Sequence, residues 1–140
     1  MDVSTVALDR IAALAQSRHV ACTRARGHIG TASEGLRLVE ADLERIALPA
    51  ASFDLIVCFR YLQRSLLPGI AAALRPRGFL VFETFTTDQL AFAKGPRSPE
   101  HLLRPGELRA AFPGLDCLFY RDWTAGEAMA SLLARKPQPL

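Results

Sequence analysis

The sequence predicts an α/β fold, with a mostly parallel sheet that ends in an antiparallel pair of strands. Three observations carry this. Phe53–Phe59 (FDLIVCF) is an apolar run broken only by Asp54, and Phe79-Leu80-Val81-Phe82 is a second. Between them Leu66, Leu67, Ile70, Ala71 and Leu74 recur at helical spacing. Two unbroken apolar strands around an amphipathic helix describe a βαβ unit whose parallel strands are buried on both faces, because a strand that returns parallel to its neighbour needs such a crossover. Further on, residues 115–121 and 129–134 read as strands around a turn containing Gly126, which predicts an antiparallel pair. Open sheets of this kind take ligands beyond the carboxyl ends of their strands. Those ends are Phe59-Arg60-Tyr61 and Glu83-Thr84-Phe85.

The elements follow in order. Ser4 can cap a helix that runs to about Ser17, with Ala7, Ile11 and Leu14 as its apolar stripe, widened by Leu8, Ala12 and Ala15. Residues 18–35 hold Gly27, Gly30 and Gly35 among polar residues and read mostly as loop. Leu36, Leu38 and Val39 suggest a short strand ending at Glu40-Ala41-Asp42, followed by a connector with one helical turn at 43–46. In the central unit Pro68 falls in the first helical turn, where proline is tolerated, and Pro76 and Gly78 stop the helix. Residues 86–99 are polar and proline-bounded and read as a mobile lid. A short helix over 104–112 follows, ended by Pro113-Gly114. The 140 residues suit a single domain.

Composition excludes several classes. Half of the residues are hydrophobic, which argues against disorder. The net charge of +3 is too mild to imply nucleic acid. The longest apolar runs fall far short of the ~20 residues of a membrane helix, and no signal peptide is visible at Met1-Asp2-Val3-Ser4. Cys22, Cys58 and Cys117 fit no metal pattern and read as buried, reduced thiols of a cytoplasmic protein. No metal is expected.

The order of elements, with Asp42 closing a strand, FDLIVC at 53–58, LRPRGFLVFET at 74–84 and the terminal antiparallel pair, resembles a class I S-adenosylmethionine-dependent methyltransferase. Within that superfamily, RYLQRSLLPGI followed by HLLRPGEL is similar to the small tellurite-resistance-type group. The resemblance implies a Rossmann-like sheet that is N-terminally truncated. A first strand and the glycine-rich cofactor loop are absent, since Gly27-His28-Ile29-Gly30 follows no apolar strand and lacks a third glycine.

It further implies S-adenosylmethionine as cofactor and a small-molecule acceptor. Asp2 stands where an acid holds the ribose hydroxyls, or else is a helix-start charge. Asp42 and Leu43 match the adenine contacts, or Asp42 is a turn acid. Phe59 and Arg60 would border the cofactor; Tyr61, Arg64 and Glu83 would meet the acceptor, with the arginines suited to an anionic group or else paired with Glu or Asp on the surface. His101 is a candidate base, Trp123 a packing residue and Cys58 core. At Pro76-Arg77-Gly78 the family's Pro-Gly-Gly turn has arginine in the middle, so Arg77 either strains or turns differently. The alternative function is a non-catalytic remnant serving as a binding or subunit-interface module, its exposed sheet edge paired with a second copy.

Overall fold

In a computed structural model the described residues are 5–27, 29 and 34–140. The chain divides into two compact units, Met1–Pro49 and Ala50–Leu140. Asp2 and the Ser4 cap lie outside the described residues.

In the first unit, α1 (Thr5–Ser17) packs on a two-stranded parallel sheet of β1 (Cys22–Arg26) and β2 (Leu36–Glu40). The helix turns Leu8, Ala12 and Ala15 inward, while Ile11 and Leu14 stay exposed. The apolar face is thus the second set of the sequence pattern, one step around the helix from the stripe read first. β1 was read as loop. Its short CTRAR run shows no alternating burial, and pairing with β2 gives its backbone groups partners that its side chains do not advertise. β2 falls where expected, with Leu38 buried at its centre.

The second unit is built on β3 (Phe53–Phe59), α2 (Leu67–Ala73), β4 (Leu74–Phe85), α3 (Glu107–Ala110), β5 (Asp116–Thr124) and β6 (Ala128–Arg135). The sheet order is β3-β4-β6-β5, with β3 parallel to β4 and the remaining pairs antiparallel. α2 is a single short helix, entered through one 3-10 turn at Arg64–Leu66. Pro68 sits in its first turn. Its carboxyl end is closed by Lys136, whose Nζ donates to the carbonyls of Ala71, Ala72 and Leu74.

One sheet face is covered. Leu80, Phe82, Leu132 and Ala134 are buried there beneath α2, α3 and Phe112, whose ring lies 6.1 Å from that of Phe82. The other face is open along β3: Leu55, Val57 and Phe59 are each at least half exposed, and Phe79 beside Leu55 is 41% exposed. This corrects the expectation of a strand buried on both faces. Among the described residues of this unit only one helical layer packs on the sheet, and β3 has a strand partner on one edge alone.

At the turn into β4, Arg77 adopts the left-handed φ of 67° and its N–H donates to the Lys136 carbonyl. The strained option of the sequence reading is therefore the one realised. Gly78 is needed for a different reason: a Cβ there would meet the carbonyl oxygens of Arg75, Phe53 and Asp54 at 2.9, 3.1 and 3.2 Å.

The 86–99 segment carries several hydrogen bonds of its own and one between Gln89 and β6. Thr87–Ala91 forms a 3-10 helix, and Gln89, buried within it, donates from Nε2 to the Lys94 carbonyl and accepts at Oε1 from the Ala128 N–H. Arg97 donates to the carbonyls of Phe92 and Leu90.

Candidate active site

The carboxyl ends of β3 and β4 bring Phe59, Arg60, Tyr61, Glu83 and Phe85 together, as the sequence predicted. Phe59 pairs in register with Glu83, and both stand on the open face. Strand pairing continues one residue past Phe59, because the Arg60 N–H donates to the Glu83 carbonyl at 2.8 Å. Arg60 itself has a φ of 54°. Such a conformation costs a non-glycine residue about 1–2 kcal/mol and marks sites that the surroundings over-determine.

The partners of Arg60 explain how it is held. Its guanidinium lies 5.2 Å from the centre of the Phe85 ring, and Nη2 donates to both carboxylate oxygens of Glu127 at 2.8 and 3.1 Å. Arg64 is engaged more deeply. It donates to both oxygens of Glu107 and to the carbonyls of Glu100 and Leu102, tying the entry to α2 to the start of α3. The hydrogen bonds from Arg64 hold the Glu107 carboxyl down to about 2, against the opposing effect of burial. Both arginines expected to receive an anionic group are thus committed within the protein. The Tyr61 hydroxyl donates to Gln63 Oε1 at 2.5 Å.

Glu83 is held differently. Its Oε2 accepts from the Ser131 hydroxyl on β6, whose oxygen in turn accepts from Trp123 Nε1 at 2.9 Å. Trp123 also packs against the buried cluster of Phe85, Leu102 and Met129, as a packing residue should, but its ring nitrogen works for Glu83 as well. Sequence reasoning missed Ser131 and Glu127. Ser131 had a signal: it is the only polar residue inside the apolar strand AMASLLAR. Glu127 had none, being one acid in a surface turn.

The remaining candidates have local partners of their own. Asp42, in the first unit, receives the Glu44 N–H on Oδ1 and lies 3.4 Å from Arg45, with Leu43 in the same single turn. His101 is exposed, 3.7 Å from Glu100. Cys58 is partly buried with its thiol directed at the Tyr61 carbonyl, and burial pushes that thiol up to about 11. Cys117 is exposed, which corrects the reading of three buried thiols; it stands on the edge strand β5.

A mixed sheet with a parallel βαβ core and an antiparallel terminal pair is the architecture of class I methyltransferases. The chain belongs to the methyltransferase domain family, which it matches over residues 2–82. None of the curated proteins matches it.

Among solved structures it is similar to an S-adenosylmethionine-dependent methyltransferase from Methanosarcina mazei (12% identity, 91% of this chain and 87% of that one, TM-score 0.61). It is also similar to TehB from Haemophilus influenzae (13%, 96% and 48%, TM-score 0.67). A third is the N-methyltransferase NodS from Bradyrhizobium japonicum WM9, solved with S-adenosyl-L-homocysteine (19%, 73% and 55%, TM-score 0.53). The chain therefore spans about half the length of TehB. No helix among the described residues is long and apolar enough to cross a membrane.

Proposed function

We propose that the chain transfers a methyl group from S-adenosylmethionine to a small-molecule acceptor, at a cleft on the carboxyl ends of β3 and β4. The observation that carries this reading is the register of Phe59 with Glu83, which sets an exposed aromatic ring beside a carboxylate where open α/β sheets take ligands. S-adenosylmethionine supplies an electrophilic methyl group on a sulfonium. Asp42 would accept the adenine amino hydrogen while Leu43 packs on the ring, and Asp2 would accept from the ribose hydroxyls.

Asp42 fits this task, since its exposed carboxylate gives the Glu44 N–H only one of its lone-pair sites. Phe59 and the Arg60 backbone border the cofactor, and Tyr61 and Glu83 face the acceptor. Catalysis of such a transfer comes mainly from holding the reactants in line and excluding water. With Cys22, Cys58 and Cys117 all free thiols, the cytoplasm is the compartment this reading assigns.

The unpaired outer edge of β3 and its exposed Leu55, Val57 and Phe59 favour a second reading: a non-catalytic module that pairs through this edge with a second copy. Calorimetric titration of the purified chain with S-adenosylhomocysteine, together with its mass in solution, separates the two. Saturable binding by a monomer supports the methyltransferase. A folded dimer that takes no S-adenosylhomocysteine supports the interface module and overturns the first.

A further inference from the structure

We infer that the methyl acceptor is an amine received by Glu83, an assignment that rests on the methyl-transfer reading above. Three features of the strand ends converge on it.

The first is the state of the cations. Arg60 is neutralised by Glu127 and Arg64 by Glu107. Arg121, which has no carboxylate partner among the described residues, lies two strands away, about 10 Å at the usual strand spacing. Its guanidinium is laid over the rings of Phe119 and Trp123 at 5.8 and 5.3 Å. Among the described residues of this unit, neither arginine at the strand ends beside Phe59 and Glu83 is left unpaired to receive an anionic acceptor.

The second is the state of Glu83. Its Oε2 is fixed by the Trp123–Ser131 chain of donors, while Oε1 has no partner among the described residues. A carboxylate held by one oxygen presents the other as an acceptor in a set direction. It suits a group that brings N–H donors and positive charge.

The third is the wall. The Phe59 ring, 58% exposed, stands beside Glu83 on the neighbouring strand and offers a face to a cation or to the carbon skeleton carrying it.

The chemistry balances with this placement. The ammonium form gives one proton to solvent. The nitrogen lone pair then forms the N–CH3 bond as the C–S bond breaks, and sulfur keeps that electron pair. The positive charge moves from sulfur to nitrogen. A fixed carboxylate against the nitrogen stabilises charge where it develops, and the product ammonium sheds its extra proton to solvent. Glu83 acts here by positioning and charge, and Ser131 and Trp123 act through Glu83.

Trp123 is the only tryptophan in the chain and donates into this network, so its emission reads the site directly. The test titrates the full chain, with and without saturating S-adenosylhomocysteine, using 2-phenylethylamine and its anionic counterpart 3-phenylpropionate. The expected result is a saturable emission change with the amine at an affinity at least ~10-fold above the carboxylate. Glu83→Gln should erase that preference. Should Glu83→Gln fail to fold, Ser131→Ala serves, since it keeps the carboxylate but releases it; a weakened amine preference supports the assignment and an unchanged one overturns it.

A preference for the carboxylate, or amine binding that survives Glu83→Gln, also overturns it. So does a Glu83→Gln variant that loses S-adenosylhomocysteine but keeps the amine, because Glu83 would then belong to the cofactor. Selective amine binding by a chain that takes no S-adenosylhomocysteine overturns the methyl-transfer reading, and the acceptor role with it.

Discussion

Replacing Arg77 with glycine should stabilise the second unit. Arg77 holds φ at 67°, its N–H is fixed on the Lys136 carbonyl at 2.9 Å, and Lys136 returns a bond from its own N–H to the Gly78 carbonyl at 2.8 Å. The β4–β6 ladder thus dictates the backbone whatever residue stands there. Its side chain is exposed, with no partner among the described residues, so the substitution acts through the backbone alone. A left-handed conformation costs a non-glycine residue about 1–2 kcal/mol. Glycine removes that and loses about 0.5–1 kcal/mol through its freer unfolded chain. The mid-values leave a gain of about 0.75 kcal/mol, within a span of about 0–1.5 kcal/mol, or roughly 3–6 °C in Tm for a domain of this size.

Thermal melting and urea unfolding of wild type, Arg77→Gly and Arg77→Ala measure it. Arg77→Ala keeps the strain and should stay within about 0.5 kcal/mol of wild type. An Arg77→Gly variant no more stable than Arg77→Ala would refute the reasoning, since the positive φ would then carry no cost.

Three further outcomes follow from the same physics. Gln89→Leu leaves the buried Ala128 N–H without its acceptor and should cost about 1–3 kcal/mol; urea unfolding measures the loss, and limited proteolysis should find new cleavage within residues 90–98. Glu107 is held down to about 2 in the folded state by Arg64, so its contribution is complete above the usual glutamate range near pH 4.3 and is lost as pH falls towards 2. Glu107→Gln should remove about 1–2 kcal/mol at pH 7, allowing for solvent screening, and flatten the acid side of the stability–pH curve. Iodoacetamide at pH 8 should alkylate exposed Cys117 well before Cys58, whose thiol is pushed up to about 11 by burial; mass-spectrometric counting of labelled peptides over time reads the order.

Most of the second unit was legible because its signals are local. The apolar runs of β3 and β4, the Pro68 start and the Gly126 turn each fix one element without help from distant contacts. The place proposed for the site follows from topology, since the carboxyl ends of parallel strands are set once the βαβ unit is recognised. That the arginines could pair with acids was legible, but which acids was not. Arg60 and Glu127 are separated by 67 residues and Arg64 and Glu107 by 43, and no pattern in a sequence announces which long-range charges neutralise each other. β1 was missed for a related reason: CTRAR becomes a strand only when β2 supplies its ladder partners. The open face of β3 was misjudged because an apolar run reports affinity for a covering layer, whereas its exposure depends on which layers pack there.

The central claim is that the carboxyl ends of β3 and β4 receive the cofactor and acceptor. Ultraviolet cross-linking of the chain with methyl-labelled S-adenosylmethionine, followed by peptide mapping, tests this most directly. The account predicts label in the peptides holding Phe59–Tyr61 or Glu83–Phe85, competed away by S-adenosylhomocysteine. A folded chain that takes no competed label, or takes it only on the covered side of the sheet around Leu108 and Phe112, would contradict it.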